Sequence, residues 1–318
     1  MNPTSSPLVS IVVPAYNAVH TIEETLMSLG NQSYGNLEIL VIDDGSTDGT
    51  SEIALSTINR ITDQLGKSFQ YIHRKNSGQA SALNFGWEKS RGRYFGYLSA
   101  DDILYPNAVA ELVEFLEQDA QTCGVYPDYD LIDADSRKIR QVITPDFRQS
   151  DLVELSICQP GPGALFRREN FEKVGGWKKE LRLLPDFDFW LRLSQDGELK
   201  RLDKTLAGFR VHESSQSFAA PSFEKSEEPI TVISSFFESQ TRTGLNQSRA
   251  LAWAHVLSAR LHLRAGRIRQ SVFHLAKALR YDITAGLHLR FWHLLASGAA
   301  GRLRYRLQSA TTKSANKH

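Results

Sequence analysis

The first hundred residues alternate between short apolar runs and amphipathic stretches, and this alternation limits the possible folds more than any other feature of the chain. Apolar runs rich in β-branched residues predict four strands, at residues 8–14, 37–42, 69–73 and 94–98. A helical pattern follows each of them. Successive strand-then-helix units are typical of a parallel sheet with helices on both faces, so we predict an α/β fold.

Beyond Pro106 the order of predicted elements becomes mixed. A helical pattern at residues 108–117 is followed by short strands near residues 123–126 and 138–143. The regular alternation of strand and helix therefore ends near Pro106.

Right-handed crossovers place the loops that follow parallel strands at one edge of the sheet, where open α/β sheets bind their ligands. The loops expected there are residues 14–17, 43–46 and 76–78 and the pair Asp101–Asp102. None of them has the glycine pattern of a dinucleotide-binding turn or of a P-loop, which argues against dehydrogenases and P-loop NTPases. A crevice with carboxylates but few lysines must bind phosphates through a metal ion and helix N-termini.

Asp101 and Asp102 directly follow the fourth predicted strand and precede Pro106, which suits the first turn of a helix. Adjacent carboxylates repel each other, and a bound divalent cation with oxygen ligands makes such a pair favourable. The same two residues could instead cap the following helix. The pair alone leaves both interpretations open.

Three further residues carry possible chemistry in the second half of the chain. Asp186 and Asp188 lie near the start of an apolar helical pattern, and their different directions on a helix allow only one of them to face the crevice. Taken by itself, Asp186 is best interpreted as a helix cap. His212 follows an alternating strand pattern, where a single histidine is more often structural than a ligand.

Composition sets the class of protein. The chain has 318 residues, a formal net charge of +1, 41% hydrophobic and 23% charged residues, which is typical of globular proteins. Cys123 and Cys158 provide neither a metal-binding spacing nor a disulfide framework. Residues 1–7 lack the regions of a signal peptide, and no apolar run has the length of a membrane span. We predict a cytoplasmic protein with no nucleic-acid partner.

The C-terminal part differs in charge from the rest. From Thr231 to the end there are 14 Lys and Arg residues and two acidic ones. Three helical patterns, at residues 251–264, 267–280 and 283–295, predict a basic helical extension. We place it at residues 226–318, after a first domain of residues 1–225, and expect disorder after Ser309.

The arginine-rich stretch at residues 287–307 has two interpretations. Its pattern suits a helix that lies on an anionic membrane surface, as in peripheral attachment to the inner face of a membrane. It equally suits a helix that packs on its own domain and keeps its arginines in water.

Five sequence motifs, taken in order, resemble those of family 2 glycosyltransferases. They are SIVVPAYN at 10–17, VIDDGSTD at 41–48, NSGQASALN at 76–84, SADD at 99–102 and PDFDFWLR at 185–192. Each is weak alone, but five in this order and spacing are specific. The resemblance covers residues 8 to about 215 and implies a GT-A fold, which is a Rossmann-like mixed sheet with helices on both faces, with the C-terminal helices outside it.

The resemblance also implies a nucleotide-sugar site. Its residues would be Pro14, Ala15, Tyr16, Asp43, Asp44, Gly78 and Asp101. Within it, the loop from Pro14 to Tyr16 and Asp44 would hold the base, a carboxylate accepting the ring N–H of uracil or a similar base, and Asp101 would lie near the ribose. Asp102 would bind Mn²⁺ or Mg²⁺, together with His212 by a looser match, and Asp186 would be the general base.

The chemistry explains these residue types. A nucleoside diphosphate is a poor leaving group unless a cation neutralises its developing charge. A sugar hydroxyl is a weak nucleophile, so a carboxylate must take its proton during attack, and one displacement inverts the anomeric carbon. The resemblance thus implies an inverting, metal-dependent glycosyltransferase of the EC 2.4 class that moves one sugar, with a UDP-sugar favoured as donor.

The acceptor would be a saccharide or a lipid-linked hydroxyl, in surface-polysaccharide or glycolipid synthesis. The sequence departs from the family pattern at Pro185, where an acidic residue usually precedes the aspartate, and this leaves the acceptor class open. It also lacks a QxxRW-like run, which argues against processive polymer synthesis. Two alternatives remain: a nucleotidyltransferase, which ordinarily has a glycine-rich basic loop after its first strand, and a non-catalytic nucleotide-sugar-binding scaffold.

Overall fold

The computed structural model describes residues 6–65, 67–211, 220–239 and 244–315, with side chains as far as Arg302. The chain divides into two compact units. The sheet unit comprises Met1–Phe147, Gln159–Glu180 and Pro185–Val211, and the helical unit comprises Arg148–Cys158, Leu181–Leu184 and His212–His318. The predicted boundary at residue 225 stays a prediction, and the predicted ligand His212 lies outside the described residues.

A single sheet forms the centre of the sheet unit. Its strands are β1 (Val9–Ala15), β2 (Leu37–Asp43), β3 (Phe69–His73), β4 (Tyr94–Tyr97), β5 (Ile103–Leu104), β6 (Thr122–Ile132), β7 (Lys138–Val142), β8 (Leu165–Arg167) and β9 (Glu198–Arg210). The strand order is β3-β2-β1-β4-β8-β6-β9-β5, and β7 pairs with β6. The first four strands are parallel, while β8 is antiparallel to β4 and β6. This confirms the predicted mixed α/β sheet.

Helices connect the strands. Those of the sheet unit are α1 (Ile22–Gly30), α2 (Thr50–Leu65), α3 (Gln79–Lys89), α4 (Ala108–Gln118), α6 (Arg168–Val174) and α7 (Pro185–Leu193). Those of the helical unit are α5 (Gln149–Glu154), α8 (Phe223–Glu238), α9 (Gln247–Arg264), α10 (Ile268–Tyr281), a short 3-10 helix (Ile283–Leu287) and α11 (Leu289–Ala315). The first two helices predicted after residue 250 are thus present as α9 and α10.

Alternation along β1 explains why helices cover both faces of the sheet. Ile11 and Val13 belong to the core that includes buried residues of α1, α2 and α4, while Val12 points to the other face, where α3 lies. A Cβ at Gly86 of α3 would lie 2.4 Å from a methyl carbon of Val12. Glycine at this position therefore lets α3 pack closely on the sheet.

Two elements differ from the sequence prediction. Strand β6 runs through Ile132 rather than ending near residue 126, because its polar residues are paired: Asp128 binds Arg201 of β9 at 2.7 Å. The third helical pattern of the C-terminal part, predicted as one helix, is divided into the 3-10 helix and α11. Its first turn tightens where the Asp282 carboxylate accepts the N–H of Thr284 at 2.9 Å. In the described part of the chain, no helix combines the length and the apolar character that crossing a bilayer requires.

Candidate active site

The loops after the first three parallel strands are joined at Asp44, which follows β2 directly. The N–H of Asp44 donates to the carbonyl oxygen of Ala15, at the end of β1, at 2.8 Å. Its Oδ2 accepts the N–H groups of Ser77 at 3.0 Å and Gly78 at 2.7 Å. Three segments far apart in the chain therefore meet at one carboxylate, as expected for the carboxyl edge of a parallel sheet.

The second oxygen of Asp44 has a different environment. Among the described residues, Oδ1 is buried and accepts no hydrogen bond. The Nε atom of Arg74, a residue that the sequence analysis missed, lies 3.5 Å from it. An unsatisfied buried acceptor costs roughly 1–3 kcal/mol, so an N–H group of a ligand would be stabilising here.

Asp43, the neighbouring residue, uses both of its oxygens within the protein. Oδ1 accepts the N–H of Ser46 at 2.8 Å, and Oδ2 accepts the hydroxyls of Ser51 and Tyr71, each at 2.6 Å. Burial by itself would raise the pKa of Asp43, but these hydrogen bonds outweigh it and lower the pKa to about 2. The geometry makes Asp43 a support for the loop, and its predicted nucleotide contact stays a prediction.

The loop after β1 is fastened to the loop after β2. Pro14 and Ala15 are buried in the last positions of β1, one residue beyond the predicted end. Asn17 has a φ of 50° and donates its N–H to the hydroxyl of Ser46 at 3.0 Å. Between them, the side chain of Tyr16 is 54% exposed. The strand end is therefore rigid, and it presents one aromatic ring to solvent.

The Asp101–Asp102 pair lies just beyond β4, as predicted. Asp102 is buried, and its Oδ1 accepts the N–H of Arg210 at 2.9 Å. Its backbone carbonyl accepts the hydroxyl of Thr25 at 2.8 Å. Burial, and then the charge of Asp101, raise the pKa of Asp102 well above its ordinary value, against the backbone hydrogen bond from Arg210. A cation beside this carboxylate would reverse that cost.

Arg210, at the end of β9, holds the acidic turn in place, although none of the sequence motifs contains it. Its side chain is almost fully buried. The guanidinium donates to the carbonyl oxygens of Asp101 at 2.8 Å and Asp133 at 3.0 Å, and to the carboxylate of Glu24 at 2.6 Å. It therefore fixes the backbone of the acidic turn.

The sequence left open which aspartate of α7 faces the crevice. Asp188 is buried and forms ion pairs with Lys178 at 2.7 Å and Arg192 at 2.8 Å. Both of its oxygens are thus used in the structure of the unit. Asp186, in the first turn of α7, is half-buried and remains the candidate for the general base.

The segment before α7 is anchored by the third sequence motif. The Nδ2 atom of Asn84 donates to the carbonyl oxygen of Trp177 at 2.7 Å, and the N–H of Trp177 donates to Oδ1 of Asn84 at 2.8 Å. The ring of Trp177 lies 5.1 Å from that of Tyr97, the last residue of β4. This pairing connects α3, β4 and the approach to α7.

A second cluster of possible metal ligands lies in the helical unit. Single ligand atoms of Glu227, His262 and His274 lie within 4.8 Å of one another. The Nε2 atoms of the two histidines lie 2.6 and 3.0 Å from one oxygen of Glu227. However, Arg267 donates to Nδ1 of His262 at 2.8 Å, so the proton of His262 must be on the Nε2 atom that faces Glu227. A hydrogen-bond network explains this cluster better than a metal ion does.

Comparison with known families shows which family the chain belongs to. A family model described as "Glycosyl transferase family 2" matches residues 10–175, which is more than half of the chain. The chain belongs to glycosyltransferase family 2. It is therefore a transferase, and the five motifs named above lie at the strand ends and helix starts that form the candidate site.

Relatives and solved structures agree with this family 2 assignment. An uncharacterized glycosyltransferase of Rickettsia typhi is 32% identical over 247 residues, 75% of this chain and 74% of that protein. Chondroitin synthase of Escherichia coli is 28% identical over 258 residues, which cover 79% of this chain and 37% of that protein.

Two solved structures share the fold of this glycosyltransferase. S. aureus TarS in complex with UDP-GlcNAc has a TM-score of 0.67 at 17% identity, covering 95% of this chain and 92% of that one. The mannosyltransferase PcManGT from Pyrobaculum calidifontis, in complex with GDP-Man and Mn²⁺, has a TM-score of 0.59 at 20% identity, covering 98% and 85%. They confirm the GT-A fold.

Proposed function

We propose that this glycosyltransferase moves one sugar from a nucleoside-diphosphate sugar to an acceptor hydroxyl, with inversion and with a divalent cation. One observation carries the proposal: at the junction of three loops, Asp44 has one oxygen held by two backbone N–H groups and one buried oxygen that accepts no hydrogen bond among the described residues, with Nε of Arg74 3.5 Å away. Such an acceptor suits the ring N–H of a nucleotide base.

The same oxygen favours a uracil base. Because Oδ2 of Asp44 already accepts from Ser77 and Gly78, a single acceptor atom remains for a ligand. Uracil offers one ring N–H, whereas guanine offers two adjacent N–H groups that are best matched by both oxygens of a carboxylate. The exposed ring of Tyr16 is available to stack on the base, and Asp101 is proposed to lie near the ribose. The complex of TarS with UDP-GlcNAc supports a UDP-sugar.

Asp102 fits a divalent cation, because a buried carboxylate beside a second negative charge is costly to ionise without one. Mn²⁺ or Mg²⁺ bound there would neutralise the charge of the leaving diphosphate as a Lewis acid. The Mn²⁺ in the PcManGT complex supports this proposal. His212 stays the predicted second ligand, outside the described residues.

Asp186 is proposed to take the proton of the acceptor hydroxyl as that oxygen attacks the anomeric carbon. Its neighbour Asp188 is held by Lys178 and Arg192, which keeps α7 in place while Asp186 acts. A saccharide or lipid-linked acceptor in cell-surface glycan synthesis is proposed, and the likeness to chondroitin synthase supports it. We also keep the predictions of a cytoplasmic location and of peripheral membrane contact through the C-terminal helices.

Transfer assays with Mn²⁺ and a panel of UDP- and GDP-sugars test this function. Asp186→Asn should lower the transfer rate by about 10²- to 10⁴-fold while donor binding is kept, because only proton removal is lost. Asp102→Ala should abolish the dependence of the rate on Mn²⁺. Asp203→Asn, whose side chain is 85% exposed, is the matched control. Wild-type rates in both site variants would show that the assigned roles are wrong.

Product analysis separates the alternatives. Proton NMR of the product should show the opposite anomeric configuration from the donor. Release of pyrophosphate from UTP and a sugar 1-phosphate would instead identify a nucleotidyltransferase. Calorimetry that detects neither metal nor nucleotide-sugar binding would favour a scaffold.

A further inference from the structure

An exposed apolar surface lies where the 3-10 helix of the helical unit meets α11. Its four side chains are Leu287, Ile283, Leu289 and Trp292, which are 84%, 78%, 76% and 59% exposed. The first three are the most exposed large apolar side chains in the described part of the chain. Single exposed apolar residues are ordinary, but four within ten residues form a patch that marks an interaction site. We call residues 283–292 the apolar tip.

The apolar tip is held in a fixed conformation. Ala285 and Phe291 are buried in a core with Trp253 and Val256 of α9. The indole Nε1 of Trp292 donates to the carbonyl oxygen of Gly286 at 3.0 Å, across the junction. The inward residues therefore anchor the tip, and the four apolar side chains project outward from a rigid base.

The charge around the apolar tip is positive. Residues 277–293 contain Lys277, Arg280 and Arg290 and a single acidic residue, Asp282, while Arg249 of α9 is paired with Glu154 at 3.9 Å. The carboxylate of Asp282 is used as a cap, since it accepts the N–H of Thr284 at 2.9 Å. Arg280, His288 and His293 are exposed close to the tip in sequence. A surface that is apolar at its centre and basic around it complements an anionic bilayer.

We propose that the apolar tip inserts into the interface of an anionic lipid bilayer. This inference rests on the membrane contact in the proposed function and deepens it, because it assigns the insertion to the 3-10 helix and the start of α11. The four apolar side chains enter the boundary between headgroups and acyl chains, where the amphipathic ring of Trp292 is stable. Basic side chains around the tip contact phosphates of the headgroups.

Vesicle flotation of the whole 318-residue chain tests the proposal. The protein should float with vesicles of equal parts phosphatidylglycerol and phosphatidylcholine, and much less with phosphatidylcholine alone. Leu287→Ser with Leu289→Ser should lower the partition coefficient by about ten-fold for each leucine. Ile143→Ser, at an apolar side chain of the sheet unit that is 68% exposed, is the matched control and should float like the wild type.

Tryptophan fluorescence measures the insertion directly. Of the five tryptophans, Trp292 is exposed and the other four are buried. Vesicles with brominated acyl chains should quench part of the emission of the wild type, and Trp292→Phe should abolish that quenching. Equal quenching in both proteins would overturn the proposal, because Trp292 would not be the inserted residue.

Other outcomes also decide the question. Equal flotation of the wild type and the double leucine variant would overturn the proposal. So would a wild-type dimer in vesicle-free sedimentation that the double variant converts to monomers, since the apolar tip would then bind a second copy of the chain. Sugar transfer to a water-soluble acceptor should be the same in the double variant and the wild type, so the proposed enzymatic function and the proposed membrane site can fail separately.

Discussion

Asp44→Asn separates the two roles that the structure gives to this side chain. The amide oxygen of asparagine can accept the N–H groups of Ser77 and Gly78, as Oδ2 of the aspartate does. The amide nitrogen then takes the position of Oδ1, which is buried and accepts no hydrogen bond among the described residues. The substitution therefore keeps the loop junction but presents an N–H donor to the N–H of a base.

The size of the effect follows from this geometry. A hydrogen bond to a charged group contributes about 1.5–3 kcal/mol. Because 1.4 kcal/mol corresponds to a factor of ten in binding, the Kd for UDP should rise by about 10- to 150-fold. The free energy of unfolding should fall by about 1 kcal/mol, since shape and backbone hydrogen bonds are retained but the ion pair of Oδ1 with Arg74 at 3.5 Å is lost.

Calorimetry with UDP and Mn²⁺ at fixed salt measures the affinity, and urea unfolding of the same samples measures the stability. The wild type should bind UDP more tightly than GDP, and Asp44→Asn should remove most of that difference. Asp203→Asn, on an exposed side chain, should bind UDP like the wild type. A folded Asp44→Asn protein that binds UDP within about two-fold of the wild type would refute the assigned role.

Two further predictions concern Asp43 and the histidine cluster. The folded-state pKa of Asp43 is about 2, below the ordinary value of 3.8, so its stabilisation, about 2 kcal/mol, is present above pH 4 and lost as the pH falls toward 2. Urea unfolding at several pH values should show a smaller acid loss in Asp43→Asn, and an equal loss would contradict this. The cluster of Glu227 and His262 should not bind Zn²⁺, so equimolar Zn²⁺ should leave the melting temperature of the protein unchanged. A Zn²⁺-dependent rise that Glu227→Gln removes but Asp102→Ala keeps would contradict the hydrogen-bond interpretation.

The first half of the fold was predictable because its signals are local. The apolar runs of β1 and β2 and the helical patterns after them depend on residues within a few positions of one another. Strand β6 was predicted too short because Asp128 and Asp130 look unfavourable in a buried strand. The partner that makes Asp128 acceptable, Arg201, is 73 residues away in sequence.

The candidate site was likewise predictable only in part from local sequence signals. The order of the motifs identified Asp44, Asp102 and Asp186 as candidates, since each lies at the end of a strand or the start of a helix. The family resemblance assigned the base contact to Asp44 and proton removal to Asp186, but local patterns alone did not separate Asp43 from Asp44 or Asp186 from Asp188. In the structure, both oxygens of Asp43 accept hydrogen bonds, whereas Oδ1 of Asp44 accepts none among the described residues. Asp188 is set apart by its ion pairs with Lys178 and Arg192.

Sequence by itself determined the α/β class, the family resemblance and the position of the acidic residues, because periodicity and motif order are properties of neighbouring residues. Tertiary structure alone decided which polar groups have hydrogen-bond partners within the protein. Ser77 reaches Asp44 across 33 residues and Arg210 reaches Asp102 across 108. It also decided that Leu287 and Leu289 face water. Burial and pairing depend on contacts between segments that are distant in the chain, so no local pattern contains them.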